Sequence, residues 1–130
     1  MPKILTSNIF LLVPTIIAWA KGEWVYLAFC LGLCVASPMY HYLSLYNRKS
    51  KMFSFFRAFD WVVGIGSYGG MYYYIFYKVP AMYQTSLAIM LAMTIVFFIY
   101  GFRFGDYDKS HPWFHVIAFL VSGLIIFMVP

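Results

Sequence analysis

Five apolar runs, parted only by short polar stretches, take up nearly the whole of this chain. They fall at about residues 4–20, 24–46, 55–77, 81–102 and 112–129. Each is close to the roughly 17–25 residues with which an α-helix crosses a bilayer. None alternates apolar with polar residues, which disfavours membrane strands. The expectation is an all-α, polytopic transmembrane bundle of about five helices, a single domain over residues 1–130.

Composition closes off the soluble alternatives. Of 130 residues, 64% are hydrophobic and 10% charged, whereas a soluble domain carries about 25% charged residues. Such a chain cannot cover a water-facing surface. The formal charge of +5 is confined to short loops, where it is a topology signal and not a nucleic-acid footprint. Cys30 and Cys34 are spaced i, i+4 inside one run, a poor geometry for a disulfide. The first run, with Lys3 before it and Ala18-Trp19-Ala20 at its end, also has the form of a cleavable signal peptide.

Lysine and arginine set the expected orientation. With the N-terminus on one side, that side holds Lys3, Arg48, Lys49, Lys51, Arg57, Arg103 and Lys109, and the other only Lys21 and Lys78. The positive-inside rule then places the N-terminus in the cytoplasm and the C-terminus outside or in a lumen. Trp19, Trp24, Tyr46, Tyr77 and Trp113, near the run ends, fit interfacial aromatic belts.

Against this apolar background stand Ser37-Pro-Met-Tyr-His41, Asp60 and His111-Pro-Trp-Phe-His115. Polar and ionisable residues are expensive in lipid and tend to line sites. Spacing by four stacks Ser37 over His41, and His111 over His115, on one helix face. His41 falls five residues before the end of the second run, Asp60 near the start of the third, and His111 and His115 at the start of the fifth. At about 1.5 Å per residue, all four lie within roughly 10 Å of the cytoplasmic interface. All three histidines of the chain belong to this set. No other acidic residue lies clearly inside a run: Glu23 is at a loop edge, and Asp106 and Asp108 are in the basic fourth loop.

The chemistry that unites them is zinc chemistry. Three neutral imidazoles bind Zn²⁺ at about 2.0–2.1 Å and leave a fourth position for water, whose pKa falls toward ~7. Asp60 is then placed to take the water's proton or to orient a ligand imidazole. Ser37 can donate to a developing oxyanion or hold the water. Pro38 cannot donate to the Cys34 carbonyl, so the second helix is free to kink there. Plainer readings exist for each residue alone: His111 as an interfacial histidine, Asp60 as a helix-start acceptor or a partner of Arg57, Ser37 and Cys34 as packing residues.

Taken together, these motifs resemble the CREST superfamily, which includes alkaline ceramidases, adiponectin and progestin receptors, haemolysin III proteins and myomaker-like proteins. Ser37-Pro-Met-Tyr-His41, the basic loop after it, and Arg57-Ala-Phe-Asp60 followed by Gly64-Ile-Gly66-Ser-Tyr-Gly69 look most like haemolysin III or receptor members. The resemblance implies a seven-helix bundle holding zinc through His41, His111 and His115, with Ser37 and Asp60 beside it. It also implies hydrolysis of ceramide-like lipid amides. It covers the second, third and fifth runs, about half the chain.

Length is the departure, since only one run separates the Asp60 run from the last, where the family has three. Losing two helices preserves orientation, so the site can still converge, but a shorter bundle leaves the cavity open to lipid or closed by a homodimer. Gly66 and Gly70 form a small-xxx-small pair suited to a neighbouring or partner helix. The reading is an intramembrane zinc hydrolase of a lipid amide or ester. Against it stand a zinc-stabilised receptor or membrane-remodelling protein, and a metal-free proton relay through Asp60 and the histidines.

Overall fold

A computed structural model describes residues 3–130, apart from the side chain of residue 108. The Asp108 side chain, placed by the sequence reading in a loop, thus lies outside the described residues. Five rods make up the chain: α1 (Lys3–Ala20), α2 (Trp24–Tyr46), α3 (Lys51–Tyr77), α4 (Ala81–Arg103) and α5 (Tyr107–Phe127). Within α1 the turn Asn8–Leu11 tightens to a 3₁₀ helix. Among the described residues there is no strand. The chain is an all-α helical bundle.

The helix boundaries differ from the apolar runs where a helix outlasts its hydrophobic stretch. α3 begins at Lys51, four residues early, because Ser50 caps it: its hydroxyl accepts from the Met52 amide at 3.1 Å. α5 likewise begins at Tyr107, ahead of the apolar run. Position 108 is therefore helical rather than part of the loop.

Four helices, α1, α2, α4 and α5, are long and apolar enough to cross a membrane. α3 has the length, 27 residues or about 40 Å. Arg57, Asp60, four glycines and five tyrosines make it the least apolar of the long helices. Large apolar side chains such as Val35, Ile65 and Val96 project from the outer surface, each more than half exposed. A surface of that kind on helices of that length marks an integral membrane protein.

α1 packs on α2 and α5, α2 on α3, and α4 on α5, while α3 and α4 meet over a shorter stretch. Glycines set the closest approaches. A Cβ on Gly66 would stand 2.8 Å from the Phe29 ring, and one on Gly123 would stand 3.0 Å from Val13. Gly66 thus serves a neighbouring helix of the same chain. A Cβ on Gly70 would meet nothing within 4 Å inside the chain.

The two ends of the bundle are built differently. Ala18, Tyr26, Tyr74, Ile75, Leu87, Leu91, Ile125 and Ile126 form a continuous buried core at one end. A polar latch lies over it. Glu23 accepts from the Tyr74 hydroxyl at 2.7 Å and pairs with Lys78 at 3.2 Å. Lys21 donates to the Phe127 carbonyl at 2.8 Å and to that of Val129. Gly22 turns α1 into α2 at φ 69°, a conformation that suits a residue without Cβ. Along their whole length α2 and α5 have no pair of Cα atoms within 8 Å among the described residues. Tyr26 and Ser122 bridge them at the core end, and at the other end a gap is left between the two backbones.

Candidate metal centre

The side chains that span this gap are the three histidines. His41 comes from α2 near its end, and His111 and His115 from the first turns of α5. The His41 ring centroid lies 5.1 Å from both others, and His111 and His115 are 4.6 Å apart. All three are buried, at 4%, 8% and 5% exposure. One ring nitrogen of each, Nε2 of His41 and Nδ1 of His111 and His115, is buried without a hydrogen-bond partner. An unsatisfied buried polar atom costs about 1–3 kcal/mol, and each of these three clustered rings carries one.

A metal ion would answer all three at once. One ligand nitrogen from each ring can be chosen so that all lie within 4.8 Å of one another. A tetrahedral zinc needs about 3.3 Å between ligand nitrogens. Small side-chain rotations inward close that difference. Histidine-only ligation also suits other divalent transition ions, so the residues fit a metal of this class without naming zinc.

Asp60 and Ser37 share a cavity with His111 and His115. Its volume is about 330 Å³, and every helix contributes to its wall. Asp60 is half-buried on α3. It is not a helix-start acceptor, since α3 begins nine residues earlier and is capped by Ser50. Nor does it pair with Arg57, whose guanidinium lies 5.6 Å above the Phe53 ring. Among the described residues the ion pairs are Glu23–Lys78 and Lys109–Asp106. Asp60 thus faces the cavity without a cation.

Ser37 is 2% exposed and donates to Asn8 Oδ1 at 3.0 Å. Asn8 Nδ2 in turn donates to the Ile4 carbonyl at 3.0 Å, which fixes the orientation of the amide. The Ser37 hydroxyl also lies within hydrogen-bonding reach of the Asp60 carboxylate, so its one proton has two acceptors, Asn8 on α1 and Asp60 on α3. Cys34 lies beside Thr15 of α1 at 3.8 Å and does not line the cavity.

Two kinds of residue escaped the sequence reading. Asn8 is one: a buried amide in the first apolar run is a signal that could have been weighed. The aromatic collar is the other. Tyr107 stacks on His111 at 4.4 Å, Tyr40 packs against His41 at 4.7 Å and Phe119 against His115 at 5.4 Å. With 23% aromatic residues in the chain, nothing singled these out.

The fold and site define a helical integral membrane protein with a buried histidine triad, two of whose members, His111 and His115, line a cavity. A scan against family models, a search of curated proteins and a search of solved structures each return no match.

Proposed function

We propose that this chain is an intramembrane zinc hydrolase that cleaves an amide or ester of a lipid, in the manner of a ceramidase. The observation that carries the reading is the convergence of three buried imidazoles, each with one unpartnered nitrogen, beside a cavity lined by a carboxylate without a cation. A metal-free core has no reason to collect those four groups, because each is costly alone in an apolar bundle. The resemblance to the CREST superfamily in Ser37, His41, Asp60, His111 and His115 adds to it.

When bound, zinc supplies a Lewis acid for the acyl carbonyl and brings the pKa of a water toward ~7. The rest falls to residues of the chain. Asp60 takes a proton from the attacking water as its oxygen bonds to the acyl carbon. Asp60 then returns that proton to the leaving nitrogen or oxygen as the C–N or C–O bond breaks. The products are a fatty acid and an amine or alcohol. Ser37, between Asn8 and the Asp60 carboxylate, holds the water beside Asp60, the second of its two expected roles. The collar of Tyr40, Tyr107 and Phe119 keeps bulk water from the triad.

The bias of lysine and arginine supports a site near the cytoplasmic leaflet. A lipid substrate follows from the cavity wall, which is mostly apolar. The experiment is metal analysis of detergent-purified protein after zinc supplementation, paired with fatty acid release from ceramide-like, acyl-amide and lysophospholipid substrates in mixed micelles. About one zinc per chain with turnover supports the proposal. Folded protein without zinc overturns it, and zinc without turnover on every substrate leaves a structural metal that ties α2 to α5.

A further inference from the structure

The cavity beside the triad has one open side and one blind end, and the difference is written in its wall. Trp61 and Ile65 line it yet are 52% and 66% exposed. They sit where α3 and α4 meet over only a short stretch, opposite Ile95 and Phe98 of α4. The mouth therefore opens sideways, toward lipid, at the level of Asp60. Farther along, Ser67, Met71 and Ser122 also line the cavity, but at 4%, 3% and 4% exposure. Tyr26, fully buried, lies beneath them and bonds to Ser122. Beyond them is the packed core.

Helix geometry gives the length of this blind slot. Met71 is eleven residues past Asp60, and Ser122 eleven past His111. That spacing is about 16 Å along a helix axis, the length of an extended chain of about twelve carbons. The floor cannot readily give way, because it rests on the core that closes the far end of the bundle.

We infer that the cavity is an acyl-length gauge, which takes one saturated chain of up to about twelve carbons with its carbonyl at the histidines. The chain lies along α3 and α5 and stops at Ser67, Met71 and Ser122. The remainder of the lipid leaves through the gap at Trp61 and Ile65. The inference rests on the lipid reading of the site, but not on turnover.

The test is binding. The protein in lipid nanodiscs is offered an equimolar mixture of octanoic, decanoic, lauric, palmitic and stearic acids, and the bound acids are identified by native mass spectrometry. Transfer of a tail from bilayer to slot gains little per methylene, so acids up to laurate should bind alike. Palmitate and stearate should bind about tenfold less, the penalty of overfilling a packed site. Met71→Ala should extend the limit by about three carbons, the length of the deleted side chain. Ser67→Leu should shorten it, with laurate lost and octanoate kept.

Binding that is equal across all lengths and unchanged in both variants would overturn the gauge while leaving the lipid site standing. Absence of every acid would overturn both. Length-selective binding by protein that hydrolyses nothing would uphold the gauge and count against the hydrolase.

Discussion

Ser37 on α2 donates its hydroxyl proton to Oδ1 of Asn8 on α1 at 3.0 Å, and both residues are buried. The bond brings the first helix into the site. Asn8 is itself anchored to the Ile4 carbonyl. Interhelical hydrogen bonds in membranes average about 0.6 kcal/mol, with a maximum near 1.7. Asn8→Ala and Ser37→Ala should each destabilise the protein by about that amount. In a double-mutant cycle the two losses should not add, because they remove the same bond. Thermal unfolding in detergent measures this. Additive losses would mean that the two side chains act separately.

The triad makes a prediction that separates a metal site from three misplaced histidines. In metal-free protein, His115→Leu replaces a buried imidazole that lacks one partner with an apolar group of similar size. That exchange should be nearly neutral or stabilising. Zinc should then raise the melting temperature of the unmodified protein and not of the variant. At a hundredfold excess over Kd, a ligand adds about 2.7 kcal/mol. Equal zinc responses would remove His115 from the ligand set.

How much of this was legible in the sequence depends on which force sets each feature. Helix number and the rough spans were, because crossing a membrane demands long apolar stretches. The true start of α3 was not, since Lys51 and Ser54 interrupt the apolar run within the first helical turn, and only the Ser50 cap marks the beginning. The meeting of His41 with His111 and His115 was legible because polar residues are scarce in such a chain. Asn8 was passed over, and the bond it forms depends on how α1 packs on α2, which no spacing within one run reveals. The blind end of the cavity was invisible too. Met71 and Ser122 look like any other core residues until the helices are assembled.

Topology is open to direct labelling. The α2–α3 and α4–α5 loops lie at the triad end, and the Glu23–Lys78 latch lies at the other. With Cys30 and Cys34 replaced by alanine, single cysteines at Lys49 and Phe104 should react with impermeant maleimide only from the cytoplasmic side. One at Pro130 should react only from the opposite side. The reverse pattern would put the site in the other leaflet.

The latch predicts a pH dependence. The Tyr74 hydroxyl donating to Glu23, and then Lys78 beside it, hold the Glu23 carboxyl below its ordinary value of 4.5. A depressed folded pKa stabilises the protein above the unfolded value and is lost as pH falls through the folded one. Stability should therefore hold down to about pH 4.5 and decline below it. In Glu23→Gln that acid limb should flatten. The Glu23 side chain is 16% exposed, so solvent screens it in part and the effect is modest. Unfolding midpoints measured from neutral pH downward would show it, and identical acid limbs in both proteins would assign the decline to another group.

Asp60→Asn bears most directly on catalysis. The carboxylate lines the cavity with His111 and His115, and Asn keeps its size and polarity but cannot accept the proton of an attacking water. Because Asp60 stands outside the triad, the variant should keep most of its zinc. Fatty acid release should fall by about 10²–10⁴-fold, the usual contribution of a general base. Ser37→Ala should cost less, since Ser37 orients the water without taking its proton. His115→Ala should lose metal and activity together, and that contrast separates a base from a ligand. Zinc content and single-turnover rates on one preparation of each variant give the comparison. If Asp60→Asn loses zinc in step with activity, Asp60 belongs to the metal's own shell. If it keeps both, the proton leaves the water by another route, and the carboxylate serves only to hold α3 against the cavity.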